Sequence, residues 1–345
     1  MESVKNILVQ DEPTGSATGR GEFHFTDDYS VFDWGKMPDE IEGKGQSLCM
    51  MGAYNFERLE EAGVSTHYRG VVEDGEVKAT EEVDQPSRVM AIEMSRVPPL
   101  PYDDGAYDYE SFHREAGENY VIPLEIVFRN AVPEGSSLRR RRSPRDVGLD
   151  VSDWPEQSID LDEPLVEFST KYEQQDRYIP KSEARDISGL GDQFDQLIDV
   201  ARDVNRVVTE RAEQVGLSHE DGKIECMYVN GAIKVADVVG TFDENRFLMG
   251  GQQISKEFLR QFYKSYDPGW VQAVKEAKQV ANQQGVADWR PLTDETPDPL
   301  PENVRKAASN LYRAGTNLYT GQDWFEVSPL DEVLDTIRRL REERF

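Results

Sequence analysis

Four charged residues in one short stretch have types and spacing suited to chemistry. Asp221, Lys223 and Glu225 alternate along DGKIECMYV, and Asp237 follows AIKVA. Side chains alternate across a strand, so the first three project from one face. Asn230-Gly231 between the two apolar runs is a strong hairpin signal, because both residues tolerate positive φ. Carboxylates on both strands of a hairpin can hold Mg²⁺ against nucleotide phosphates, since Mg²⁺ takes one or two protein carboxylates and completes its shell with water and phosphate. Register decides whether Glu225 and Asp237 share an ion. A two-residue turn sets Glu225 opposite Ala236 and Asp237 opposite Ile224, with the carboxylates on opposite faces. A three-residue turn with a Gly bulge sets Glu225 opposite Asp237. The shared site predicts the bulged turn. The alternative is a surface hairpin with solvated charges.

A second concentration of chemistry is PEGSSLRRRRSPR. Five arginines fall between Arg139 and Arg145, beside Gly135, Ser136 and Ser137. Backbone amides, hydroxyls and guanidinium groups together suit a phosphate. The alternative is a solvated basic loop or a localisation-like run. Near the N-terminus, glycines from Gly15 to Gly21 separate two strand-like runs. They let amides approach phosphate or form a plain hairpin tip. No GxxxxGK[ST] sequence is present, so a Walker-type loop is excluded.

The 67 acidic residues against 39 Lys plus Arg give a net charge of −28, which argues against a nucleic-acid partner. The acids run along the whole length. Such a surface suits a salt-rich cytoplasm, where repulsion is screened. No apolar run is long enough to span a membrane and no signal peptide is evident, so a cytoplasmic location is expected. Cys49 and Cys226 sit in apolar contexts and read as buried thiols. The four scattered histidines give no zinc pattern.

These residues need elements to position them. VKNILVQ and EFHFT read as strands, and FTDDYSVFDWG as an acidic turn carrying Ser30 and Asp33. Helical periodicity runs from Gln46 to Gly63, strands from Val64 to Met94, and residues 97–119 read as a surface loop without period. YVIPLEIVFRN is an apolar strand ending in Arg129 and linking two lobes. Asp162 to Tyr172 is a short apolar segment containing Lys171. Leu190 to Gly216 is the clearest helix, and helices follow at 255–266, 268–284, 302–318 and 330–343. The 345 residues suffice for two lobes.

In these segments the chain resembles the phosphoribosylaminoimidazole-succinocarboxamide synthase (SAICAR synthetase) family. VIPLEIVFRN with its following Gly-Ser and the Asp221-x-Lys223-Ile224-Glu225 strand carry most of the likeness. SVKNIL, FTDDYSVFDW, EGKG, GVSTH and EPLVEFSTKY support it, and PLPENVRKAASNLYRAGTNLYTG looks like the end of longer members. The resemblance implies an α+β, two-lobed fold: an antiparallel β lobe over residues 1–122, an α/β lobe over 123–270 with nucleotide in the cleft, and a helical extension over 271–345. It implies a ligase that joins carboxyaminoimidazole ribotide to L-aspartate with ATP and Mg²⁺ through an acyl phosphate, as a monomer or homodimer. Alternatives are another ATP-using enzyme on the same scaffold, such as a small-molecule kinase, or a non-catalytic nucleotide-binding protein.

Family roles carried over by motif make Asp221, Lys223, Glu225 and Asp237 catalytic, with Glu225 and Asp237 as metal and nucleotide ligands. Lys5, Lys171 and Lys223 look like nucleotide contacts. Arg129, Ser136, Ser137, Arg140, Asp221 and Arg246 look like ligands of the ribotide. Ser3-Val4 stand where the family's N-terminal loop usually opens Gly-Lys, so the resemblance implies one phosphate-contacting lysine fewer. One extra residue lies between Arg129 and Gly135, which leaves Ser136 and Ser137 as alternatives. His219-Glu220 replace two aliphatics, and Cys226-Met227 replace an aromatic and a glycine.

Overall fold

The computed structural model describes residues 4–103, 106–173, 176–284, 286 and 288–342. The first unit is a five-stranded antiparallel sheet. Its strands are β1 (Lys5–Asp11), β2 (Gly19–Phe25), β3 (Tyr68–Glu73), β4 (Glu76–Lys78) and β5 (Val89–Met94), in the order β1-β2-β5-β3-β4. Alternation in β2 buries Phe23 and Phe25 under helix α1 (Lys44–Glu61), whose Leu48, Met51, Phe56 and Leu59 complete that layer. Gly45 lets the start of α1 approach the end of β2, since a Cβ there would lie 2.8 Å from the Phe25 carbonyl oxygen.

The 97–119 segment is not the structureless loop expected. It forms a small hairpin, β6 (Tyr102–Asp103) and β7 (Ala106–Tyr107), and helix α2 (Tyr109–Ala116). Asp108 caps α2 by accepting from the Ser111 N–H at 2.8 Å, and Phe112 and Ala116 are buried beneath it. Eight residues are too few to display a helical period, so only the cap marked it in the sequence.

The second sheet contains β8 (Asn119–Val121), β9 (Leu124–Val132), β10 (Ile159–Thr170), β11 (Tyr178–Ile179), β12 (Ser218–Val229), β13 (Ala232–Ala236), β14 (Asn245–Met249) and β15 (Gln252–Gln253). All pairings are antiparallel, in the order β11-β10-β9-β12-β14-β15, with β8 and β13 on the far half of β12. The intervening helices are α3 (Leu138–Arg141), α4 (Lys181–Ser188) and α5 (Phe194–Gln214). The apolar stripe of α5 (Phe194, Leu197, Ala201, Val204 and Val208) is buried with Ile126, Phe128, Phe168 and Ile224. The other face of the sheet is left for charge. The His67 N–H donates to the Val235 carbonyl at 2.9 Å and the Val235 N–H to the Ser65 carbonyl at 2.9 Å, which ties β13 to the first unit.

A bulge at Glu220 resets β12. His219 pairs with Phe247 and Asp221 with Arg246, so one residue is extra on β12. The His219 ring therefore turns into the core, stacked on Phe247 with ring centroids 4.8 Å apart, while Asp221 turns to the open face. Asn245 Oδ1 accepts from the ring Nε2–H at 3.0 Å, and the Thr209 hydroxyl meets Nδ1 at 2.8 Å. This network replaces the expected aliphatic packing. Burial lowers both His219 and His67 from 6.5 to about 4. The unfolded chain thus takes up protons first as pH falls. Each ring withdraws up to about 3 kcal/mol of stability between about pH 6.5 and 4. Unfolding free energies of wild type and His219→Asn, measured by denaturant titration, should therefore converge by about that amount from pH 7 to pH 4. A pH-independent difference would refute the buried neutral ring.

The chain closes with α6 (Glu257–Tyr266), α7 (Pro268–Gln284), α8 (Glu302–Thr320) and α9 (Leu330–Glu342). Helix α8 packs on α1 and α9. Among the described residues, no helix is long and apolar enough to cross a membrane.

Candidate active site

The open face of the second sheet carries alternating charge on three neighbouring strands. β9 contributes Glu125 and Arg129, β12 contributes Asp221, Lys223 and Glu225, and β10 contributes Glu167 with Lys171 just beyond its end. Antiparallel register sets Asp221 beside Arg129. The Asp221 carboxylate accepts from Arg129 at 2.8 Å and from Arg246 at 2.5 Å. Lys223 donates to Glu125 at 2.6 Å and lies 3.3 Å from Glu244. Lys171 donates to Glu225. Arg129, Asp221, Lys223, Glu244 and Arg246 line a cleft of about 360 Å³, with Asp33, Asp176 and Lys256 along its walls.

The hairpin corrects one expectation. Val229 pairs with Ala232 and Glu225 with Ala236, so the Asn230-Gly231 turn has two residues and no bulge. Asn230 and Gly231 take φ of 48° and 93°, as such a turn requires. The carboxylates nevertheless converge, because β13 ends at Ala236 and Asp237 is left-handed, with φ of 63°. That single reversal takes Asp237 out of the strand's alternation. His67 Nε2 lies 3.2 Å from the Asp237 carbonyl oxygen and braces this conformation. The Asp237 carboxylate pairs with the buried Lys5 at 2.7 Å. Burial pushes Glu225 up to about 7, and the Asp237 charge adds to the rise, with Lys171 opposing both. Burial acts on Asp237 in the same direction, but Lys5 and then Lys171 outweigh it and hold Asp237 below the usual carboxylate range.

The arginine-rich loop divides by role. Arg139 donates to the carbonyls of Val132 at 2.9 Å and Gln157 at 2.6 Å, so it braces the loop. Arg141 and Arg142 turn to Glu167. Arg140 is exposed on α3 and shows no side-chain partner among the described residues. Ser136 is buried and its hydroxyl accepts from the Leu138 N–H at 3.3 Å, whereas Ser137 lines the cleft. Of the two alternatives, Ser137 is the one that lines the cleft. Ser3 lies outside the described residues.

Several site residues escaped the sequence reading. Glu125 lies inside VIPLEIVFRN and Glu167 inside EPLVEFSTKY, where Arg129 and Lys171 are the residues that the motif singles out. Lys44, the lysine of EGKG, is fully buried and donates to Asp243 at 2.8 Å. Tyr312 of α8 donates to the other Asp243 oxygen at 2.6 Å. Tyr312 lies within the helix expected over 302–318, and no local signal in the sequence ties it to Asp243.

Among the described residues, no group of three or more His, Cys, Asp or Glu could hold a metal by itself. The Glu225–Asp237 pair fits a hard cation that takes two protein oxygens and completes its shell from phosphate and water. Lys5 and Lys171 neutralise the same carboxylates in the ligand-free protein, so the pair is not left with uncompensated charge.

The chain is similar to known proteins along most of its length. Residues 16–277 match the family model described as SAICAR synthetase. The chain is 42% identical over 349 positions to a protein of Archaeoglobus fulgidus provisionally named phosphoribosylaminoimidazole-succinocarboxamide synthase, covering 99% of this chain and 100% of that relative. Two solved structures show the same fold. One is a SAICAR synthetase in complex with ADP, at 23% identity and a TM-score of 0.55, covering 87% of this chain and 99% of that one. The other is the Saccharomyces cerevisiae SAICAR-synthase complexed with SAICAR, at 18% identity and a TM-score of 0.61, covering 94% and 95%. With a family model over more than half its length and a full-length relative this similar, the chain belongs to the SAICAR synthetase family.

Proposed function

We propose that the cleft is where this chain carries out its family's reaction. The chain is an ATP-dependent carbon–nitrogen ligase of purine biosynthesis. It condenses carboxyaminoimidazole ribotide with L-aspartate and releases SAICAR, ADP and phosphate. The observation that supports the location is convergence. The Lys5–Asp237 and Lys171–Glu225 pairs adjoin Lys223, and Lys223 shares a strand face with the Arg129–Asp221–Arg246 cluster.

Three anions must meet here, so positioning and charge stabilisation carry the catalysis. Lys5, Lys171 and Lys223 bind the ATP phosphates. Glu225 and Asp237 would hold Mg²⁺, which would offset charge on the phosphates. Arg129, Ser137 and Arg246 bind the ribotide, with Arg140 extending the set along the loop and Asp221 fixing two of the guanidiniums. The ribotide carboxylate attacks the γ-phosphorus, the bond to ADP breaks, and an acyl phosphate forms. The aspartate amine then attacks the acyl carbon. A C–N bond forms, the C–O bond to phosphate breaks, and the amine loses a proton. No covalent enzyme intermediate is needed. The charge of −28 further supports work in a salt-rich cytoplasm.

Protein incubated with ATP and Mg²⁺ should release ADP over many turnovers only when both the ribotide and aspartate are present. Sustained ADP release without aspartate, with accumulation of a stable phosphorylated product, would make the chain a kinase. Binding of ATP with no turnover would make it a non-catalytic nucleotide binder.

A further inference from the structure

We infer that Glu167 is a positioning residue that gathers three arginines into one receptacle for a phosphate monoester. The inference rests on the reading that the ribotide lies beside Arg129. Glu167 is only 3% exposed, yet three guanidiniums meet its carboxylate. Arg129 Nε lies 2.8 Å from Oε2, Arg141 Nη1 2.9 Å from Oε1, and Arg142 Nε 3.6 Å from Oε1. Arg141 also places Nη2 3.3 Å from Oε2 and lies over the Tyr178 ring, 3.6 Å from its centroid. The Tyr178 hydroxyl accepts from Arg129 Nη2 at 3.2 Å.

Three neighbouring guanidiniums repel one another, and a central carboxylate offsets that repulsion while fixing their planes. Arg129 is held from both sides, by Glu167 at Nε and by Asp221 at Nη1, so it cannot swing to meet a ligand. It has to be placed in advance. Arg129, Arg141, Arg142 and Arg246 bring four positive charges against the two negative charges of Glu167 and Asp221. The surplus of two matches a phosphate monoester, which carries about −1.5 to −2 at neutral pH. Arg139, spent on backbone carbonyls, stands outside this set.

The test compares the ribotide with the matching riboside, which lacks the phosphate, by calorimetry on the full chain. Wild type should bind the ribotide far more tightly. Glu167→Gln keeps the shape but removes the charge, and should lower that preference about tenfold, as loss of an orienting partner commonly does. Its affinities for riboside and ATP should be unchanged. Arg141→Ala, on the more open side of the cluster, should also lower the preference and serves if Glu167→Gln does not fold. A preference retained in both variants overturns the role of Glu167. Equal losses for ribotide, riboside and ATP overturn it too, because they mean general support of the fold. A wild-type protein with no preference for the phosphate would instead overturn the placement of the ribotide.

Discussion

Asp237→Asn is expected to lower turnover by roughly a thousandfold, the scale seen when one preorganised charge-stabilising group is removed. Its fold should survive. Asparagine is nearly isosteric with aspartate and tolerates the left-handed backbone that this position requires, φ of 63°. Lys5 loses its ion-pair partner, which costs stability, while Glu225 loses a repulsive neighbour, which restores some. Asp237→Ala should be worse for the fold, because alanine lacks the short polar side chain that lets Asp and Asn adopt the left-handed backbone, whose cost is about 1–2 kcal/mol. Steady-state ADP release and a thermal melt on the same preparations decide the matter. Turnover of Asp237→Asn within tenfold of wild type would remove Asp237 from the site.

The second large effect is on stability. Lys44→Met should lower the unfolding free energy by about 3–5 kcal/mol, the range for breaking a buried ion pair by removing one partner. Lys44 is fully buried, and the Asp243 side chain is 3% exposed. Methionine fills most of the space but leaves the carboxylate with the Tyr312 hydroxyl and with Lys256 at 4.0 Å, too distant for a hydrogen bond. Asp243 anchors the segment that carries Glu244, Asn245 and Arg246, so the ribotide KM should rise as well. Adding Asp243→Asn should recover part of the lost stability, because the uncompensated charge is gone. Denaturant unfolding of the single and double variants measures both terms. A loss below about 1 kcal/mol, the scale of an exposed pair, would show that the pair is solvated.

Much of this was legible in residue patterns. The alternation of Asp221, Lys223 and Glu225 placed one face of β12, and the stripe of α5 placed the layer behind it. What escaped was set by single backbone torsions and by distant partners. Strand periodicity assumes an extended backbone at every residue. Two departures, the bulge at Glu220 and the left-handed Asp237, each reverse the face that counting assigns. The hairpin register followed the plain Asn-Gly rule, and the requirement for a bulge arose from extending the strand one residue too far. Ser136 and Ser137 could not be told apart by counting across an insertion, whereas burial separates them at once. Glu167 is an ordinary outward glutamate of a strand until three arginines from two other segments are seen around it.

The anchor of Asp243 also bears on how the protein is made. Lys44 precedes Asp243 by 199 residues, and Tyr312 follows it by 69. Chains are made from the N-terminus at about 5–20 residues per second, so Lys44 waits roughly 10–40 s for its carboxylate and several seconds more for the phenol that completes it. During that interval α1 must settle on the first sheet with an ammonium group at its start that nothing yet neutralises. A nascent chain is therefore expected to keep the beginning of α1 frayed and open to water until α8 has been synthesised, so the anchor of Asp243, which lines the cleft, is among the last parts of the molecule to be built.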